Sequence, residues 1–317
     1  MVSRLITAFA KIKNSIPEGR CRTGSAVMDW MTGGYPAGRI TEIASDPGVG
    51  RTTLGLTALR ENEGIFIDAD HGVTRERVLN IAGRPVTVVR TGRFENVFEI
   101  IVKYVEEKNR GVIVVDTIAA LHTHDINESE NTMQAKYLSL NMPPLLEAVD
   151  GSNVAIVLMN QYRYDPGKPG VKVTPGGRAL KEYASMRISM RKYGVIRDVS
   201  GRRIGHRVMA TIESSKICLP SKRGLMDLLW EKGFDSAFEI FYIGHQMGLL
   251  KKRGGIIYYN DTPYRYTDFI NSDSFEALKL TVMDKIYNNG INFIKSLEDT
   301  HEQSSDQIYG RNSQEVR

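Results

Sequence analysis

Apolar positions along the chain change their spacing several times, and each change predicts an element. Residues 38–43 (GRITEI), 64–69 (GIFIDA), 111–116 (GVIVVD) and 153–160 (NVAIVLMN) are short, nearly continuous apolar runs rich in β-branched residues. Such runs predict strands covered on both faces, as in a parallel sheet. The stretches between them are long enough for crossover helices. Residues 184–192, 207–213 and 226–230 alternate more between apolar and polar side chains, which predicts antiparallel extensions of the same sheet. Near the start, Leu5, Phe9, Ile12 and Ile16 recur at helical spacing among Arg4, Lys11 and Lys13. This predicts a short basic amphipathic helix ending before Pro17, either an ordinary surface helix or an arm that docks on a neighbouring subunit. From about Phe234 the pattern becomes two or three short helices and a Gly/Tyr-rich hairpin over residues 253–266. Residues 298–317 are polar and aperiodic, as a frayed tail would be.

The predicted organisation is an α/β chain with a mainly parallel twisted sheet. A helical arm occupies residues 1–22, the core 23–233, a small α+β module 234–297 and a flexible polar tail 298–317. With 317 residues, 41% of them hydrophobic and 25% charged, the chain has the means to build a sizeable core. A net charge of +5 suits a polyanionic partner without requiring one. The two cysteines, Cys21 and Cys218, lie far apart and show no zinc or disulfide spacing, so a reducing cytoplasmic setting is expected. No apolar run reaches the roughly 18–20 residues of a membrane span, and the start lacks the apolar stretch of a secretory signal.

The most informative segment follows the first predicted strand. It reads Ser45-Asp46-Pro47-Gly48-Val49-Gly50-Arg51-Thr52-Thr53 and runs into helix-compatible residues 54–60. A glycine-rich turn between strand and helix aims backbone N–H groups and a helix N-terminus at phosphate. The usual pattern is G-x-x-x-x-G-K-[ST]. Here Ser45 stands for its first glycine and Arg51 for its lysine. Gly48 and Gly50 supply backbone freedom, Arg51 keeps the positive charge, and the Thr52 hydroxyl suits magnesium. The competing reading is a glycine-rich turn with a chance basic residue.

Two acidic elements join it. Asp116 ends the run VIVVD, where a magnesium-site acid of an NTPase belongs, although many α/β strands end in Asp. Asp70 ends FIDAD and is placed to polarise an attacking water. Taken in order on one α/β pattern, the three elements converge on one nucleotide site.

At this level the chain resembles the bacterial RecA family, from about Thr23 to about Tyr266. TGSAVMDWMTGG is similar to the family's opening segment, FIDADH to its FIDAEH segment and VIVVDTIAAL to its Walker B strand. LMNQYR, GGRALKEYASMRI and GFDSAFEIFYIGHQMGLLKKRGGIIYY follow in the family's order. Viral recombinases of the same superfamily are an equally good match. The resemblance implies a RecA-like P-loop NTPase core that uses ATP and Mg2+. Arg51 then takes the Walker A lysine position, Thr52 the metal-ligand position, Asp116 the Walker B acid and Asp70 the catalytic glutamate. Gln161 matches the glutamine that senses the γ-phosphate and relays it to the DNA loops. Lys216 matches a lysine that reaches the ATP of the adjacent protomer. Trp230 falls where an aromatic packs near the adenine, and Arg77 stands at another base-contact position.

The resemblance also implies two DNA loops. The second, residues 162–177 (YRYDPGKPGVKVTPGG), offers Arg163, Lys168 and Lys172, then Gly176, Gly177 and Arg178 for phosphates. Tyr162 and Tyr164 interleaved with cations suit single strands, against the alternative of a solvated surface loop. Lys136 matches a basic position just after the first loop, at about residues 124–133. The implied activity is a recombinase forming ATP-dependent filaments on single-stranded DNA and pairing them with homologous duplex, with a single-strand-binding protein or loading factor as a further partner. The alternative is an ATP-binding accessory paralogue, or a RecA-fold ATPase that never meets DNA.

Several positions depart from the family. Arg51 presents a planar fork in place of a point ammonium. Asp70 draws the carboxylate back by one methylene from where the family's glutamate holds it, so slow hydrolysis is expected. Glu182 replaces an interface aromatic, Ser214 one of two interface lysines, and Pro143 and Pro144 a basic pair. The N-terminal arm is also shorter.

Overall fold

The computed structural model describes residues 19–123, 130–165 and 167–287. The chain divides into two compact units, with the boundary between Glu239 and Ile240. The predicted N-terminal helix, most of the first DNA loop and the polar tail lie outside the described residues.

A nine-stranded sheet organises the first unit. In chain order its strands are β1 (Arg39–Ser45), β2 (Gly64–Asp68), β3 (Thr87–Arg90), β4 (Arg110–Asp116), β5 (Asn153–Gln161), β6 (Met186–Arg197), β7 (Arg203–Ser215), β8 (Arg223–Leu229) and β9 (Gly233–Phe234). Their spatial order is β9-β8-β7-β6-β1-β5-β4-β2-β3. All neighbours from β6 through β3 pair in parallel, and those from β6 through β9 pair antiparallel. The four continuous apolar runs are therefore the central parallel strands, with side chains such as Ile40, Phe66, Val114 and Ile156 fully buried.

Residues 184–192 were expected as an antiparallel extension; instead β6 runs parallel to β1, with Met186 opposite Thr41 and Met190 opposite Ser45. A helix between β5 and β6, Gly177–Tyr183, returns the chain to the starting edge, as a parallel crossover requires. Residues 207–213 and 226–230 fall on β7 and around the end of β8, which are antiparallel as expected.

Helices cover this sheet: α1 (Ala26–Thr32), α2 (Arg51–Glu61), α3 (Arg75–Ala82), α4 (Phe94–Lys108), α5 (Glu130–Val149) and α6 (Gly177–Tyr183). α4 buries Phe94, Val97, Ile101 and Val105, spaced at three or four residues, against the core that β2, β4 and β5 share with α5. Pro143 and Pro144 lie inside α5, where neither has an N–H to donate to the preceding turn.

The second unit contains most of α7 (Ser236–Gln246), α8 (Tyr266–Ile270), α9 (Asp273–Tyr287) and a three-stranded antiparallel sheet over Lys251–Arg253, Ile256–Tyr259 and Thr262–Tyr264. Phe269 is fully buried there and packs its ring against Tyr259, Tyr264 and Phe275. No helix among the described residues is long and apolar enough to cross a membrane.

Candidate nucleotide and DNA site

The carboxyl ends of β1, β2, β4 and β5 lie side by side, because their registers place Asp68 opposite Asp116 and Ser45 opposite Gln161. Every sequence-predicted phosphate and metal residue belongs to one of these strand ends, to the turn after it or to the first turn of α2. Beyond β1 the chain turns at Gly48 (φ 67°) and Gly50 (φ 117°) and enters α2 at Arg51. A side chain at Gly50 would be doubly strained. Its φ is left-handed, and a Cβ there would sit 2.8 Å from Leu228 Cδ2. No side chain caps the N-terminus of α2, so its first backbone N–H groups remain for an anion.

Arg51 is folded onto its own loop. Its Nη1 donates to the Ser45 carbonyl, to Ser45 Oγ at 2.7 Å and to the Asp46 carbonyl at 3.3 Å. Its Nε is buried without a hydrogen-bond partner. Burial pulls the guanidinium pKa down, and the nearby Asp116, Asp70 and Asp46 carboxylates oppose that pull. Thr52 Oγ1 donates to Asp116 Oδ2 at 2.5 Å, so the two proposed metal-side groups already touch. Asp116 is buried, and burial pushes its carboxyl pKa up to about 6 against the opposing Thr52 hydrogen bond, with Asp70 adding a like charge. Asp70 is exposed just beyond β2, and its carboxyl is also pushed up, chiefly by partial burial.

These groups fit a magnesium-bound polyphosphate. The uncapped helix end, the two left-handed glycines, Arg51 and the Thr52–Asp116 oxygen pair are all found at this one turn. The described residues contain no cluster of three or more His, Cys, Asp or Glu that would hold a metal. Few protein oxygens suit Mg2+, which takes its remaining ligands from phosphates and water.

The other expected residues divide into two groups. Arg77 comes to the loop, its Nη2 donating to Thr53 Oγ1 at 3.0 Å. Trp230 is brought there by His206, which the sequence reading missed. His206 Nε2 lies 3.3 Å from the Val49 carbonyl, and Trp230 Nε1 donates to His206 Nδ1 at 3.4 Å. A carbonyl only accepts and an indole only donates, so this geometry selects the neutral Nε2–H tautomer. Burial and Lys192 hold the His206 pKa down, against the Val49 hydrogen bond. Lys216, by contrast, is not part of this site in its own chain. Its backbone N–H donates to Ser185 and its Nζ to the Glu182 carbonyl, at the end of β6 remote from the phosphate turn.

The second predicted DNA loop leaves β5 directly beside the phosphate loop, and Tyr162 N donates to the Ser45 carbonyl at 3.1 Å. Arg163–Tyr164 and Lys172–Val173 pair as a small antiparallel hairpin. Lys168, Lys172, Gly177 and Arg178 are exposed, whereas Gly176 is buried at the start of α6. Lys136 is exposed on α5. The base of the loop is held by a buried network that the sequence reading also missed. Asn160 Nδ2 donates to Glu42 Oε1 at 2.8 Å and to the Pro175 carbonyl at 2.9 Å, and Arg187 Nε donates to Glu42 Oε2 at 2.5 Å. The sequence signal for it is Glu42, an acidic residue between Ile40 and Ile43 in a strand that the structure buries.

The RecA N-terminal domain family matches residues 11–235 of this chain. The chain is 31% identical over 256 residues to Protein RecA of Wolbachia sp. subsp. Drosophila simulans, covering 76% of this chain and 72% of the relative. It is 30% identical over 255 residues to Protein RecA of Aquifex aeolicus, covering 75% and 74%. Protein RecA of Ureaplasma parvum serovar 3 is 29% identical over 287 residues, covering 82% and 84%. A family match over most of the chain, together with these relatives, establishes that this chain belongs to the RecA family.

Proposed function

We propose that the chain is a RecA-type recombinase and DNA-dependent ATPase, working in the cytoplasm of a bacterium or of a phage-infected cell. It binds single-stranded DNA as an ATP-loaded filament and pairs it with homologous duplex. The observation that carries this reading is the shared origin of the two loops. The phosphate loop follows Ser45 and the second loop follows Gln161, which face each other across β1 and β5. A change at the phosphate seat therefore reaches the first residues of the second loop.

In this reading the turn at Pro47, the backbone N–H groups of Gly48, Val49 and Gly50, the first turn of α2 and Arg51 hold the phosphates. Thr52 and Asp116 would hold Mg2+, which would supply charge neutralisation on the transferred phosphoryl group. Asp70 accepts a proton from the attacking water. Arg77 and Trp230 border the base, and Gln161 reports the terminal phosphate to the second loop. Arg163, Lys168, Lys172 and Arg178, with the backbone of Gly176 and Gly177 and with Lys136, take DNA phosphates. Lys216 acts on the nucleotide of the next protomer, consistent with its distance from the site in its own chain. Residues 1–22 serve as the assembly arm and 234–297 as a small C-terminal module. Head-to-tail contacts of this kind leave an open helix.

Electron microscopy of the protein with single-stranded DNA and ATP or a slow analogue tests the proposal. Regular helical filaments that need both nucleotide and DNA are expected. Discrete particles under all conditions would contradict it.

A further inference from the structure

Two cations of the second loop are not directed to solvent; they are tied to the nucleotide side of the molecule. Lys172 Nζ donates to both carboxylate oxygens of Asp46, at 2.8 and 2.7 Å. The same ammonium lies 5.7 Å from the centroid of the Tyr164 ring. Arg163 Nη2 donates at 2.6 Å to the carbonyl of Ala119, in the turn that follows Asp116. Asp46 is the second residue of the phosphate loop, and its own carbonyl accepts from Arg51. One chain of contacts thus runs from Arg51 through Asp46 to Lys172.

We propose that Asp46 is a latch: it holds Lys172 against the phosphate loop until a DNA phosphate displaces it. The inference rests on the reading of residues 162–177 as a DNA loop. Displacement is open to a strand, because the Lys172 and Asp46 side chains are 41% and 46% exposed. The exchange is one carboxylate for one phosphate at the same ammonium. An exposed pair is weak and screened by salt, so the latch tunes affinity and does not abolish it. DNA that takes Lys172 leaves the Asp46 carboxylate unpaired at the edge of the phosphate seat. Occupancy of the DNA loop therefore changes the charge felt at the nucleotide loop, and by linkage the effect is reciprocal. This coupling needs no movement of β5 and is separate from the one through Gln161.

The test is a double-mutant cycle read by anisotropy of labelled oligo-dT at low salt without nucleotide, using Asp46→Asn, Lys172→Ala and the pair. Asp46→Asn is expected to tighten binding about two- to five-fold, the scale of one exposed ion pair. Lys172→Ala is expected to weaken it, and in that background Asp46→Asn is expected to do nothing. If Asp46→Asn tightens binding equally with Lys172 absent, a general charge effect replaces the latch. If Lys172→Ala weakens binding while Asp46→Asn leaves it unchanged, the latch is wrong and the DNA loop stands. If Lys172→Ala itself has no effect, Lys172 takes no DNA phosphate, and the latch fails together with that part of the DNA-loop reading.

Discussion

The phosphate loop and the second loop start one strand apart, yet they are built differently. The phosphate loop is fixed from within. Ser45 is buried at the end of β1, Gly48 and Gly50 set the turn, and Arg51 bonds back to the loop's own carbonyls. The second loop is held by buried bonds at its root, and beyond it by the exposed Lys172–Asp46 pair. Glu42 holds Asn160, Asn160 holds the Pro175 carbonyl, and residues 167–172 between them are exposed. The difference suits the two ligands proposed for these loops. A triphosphate of fixed shape rewards a preformed cradle, whereas a nucleic-acid strand of any sequence is gripped by cations on an adaptable loop.

The largest expected effect breaks the rigid side. If Arg51 seated on its own loop and the short reach of Asp70 limit hydrolysis, Arg51→Lys with Asp70→Glu should raise DNA-stimulated turnover. A misplaced base costs about 10²–10⁴-fold. Phosphate-release rates for the two single variants and the double variant check this, and no gain in any of them would remove both residues as the limit.

Next in size is the metal. Asp116→Asn should weaken magnesium-dependent nucleotide binding by about 10–100-fold, as loss of a group acting through metal-bound water does, and leave magnesium-free binding nearly unchanged. The wild-type site should also respond to pH. Asp116 must be ionised to serve the metal, and its pKa stands at about 6. Magnesium-dependent affinity should therefore be flat above that pH and fall below it, by up to about ten-fold per unit. Because the folded pKa lies above the ordinary carboxylate value, the same group favours the folded state at low pH and loses that contribution as pH rises towards 6. Nucleotide titrations at several pH values, with and without magnesium, separate the two behaviours.

The adaptable side should yield a smaller, sequence-independent change. Lys168→Ala with Arg178→Ala should weaken oligo-dT and mixed-sequence strands alike. The salt slope should fall by about 1.4 log units, at roughly 0.7 per neutralised phosphate. Nucleotide binding should survive. An unchanged slope would move the DNA contacts elsewhere.

The contrast between the loops also marks what the sequence could and could not show. The central strands were legible because both faces are covered and their apolar runs are unbroken. The edge strand Thr87–Arg90 has no such run, being half-exposed, and went unseen. The direction of β6 was misread because alternation reports exposure on one face and carries no information about which neighbour is parallel. The positions of Arg51, Thr52, Asp70 and Asp116 beside the strand ends were legible because each follows or closes an apolar run at a short offset. Asp46–Lys172, His206–Val49 and Asn160–Glu42 were not, since those partners lie 126, 157 and 118 residues apart. Only the sheet order brings them together.

The central claim is that nucleotide in the rigid loop governs DNA on the adaptable one through the Ser45–Gln161 junction. Anisotropy of labelled oligo-dT with and without Mg–ATP, for the wild-type protein and Gln161→Ala, tests it most directly. The account predicts that ATP tightens DNA binding by the wild type, and that Gln161→Ala still binds ATP but loses the gain. A gain of equal size in Gln161→Ala would contradict it.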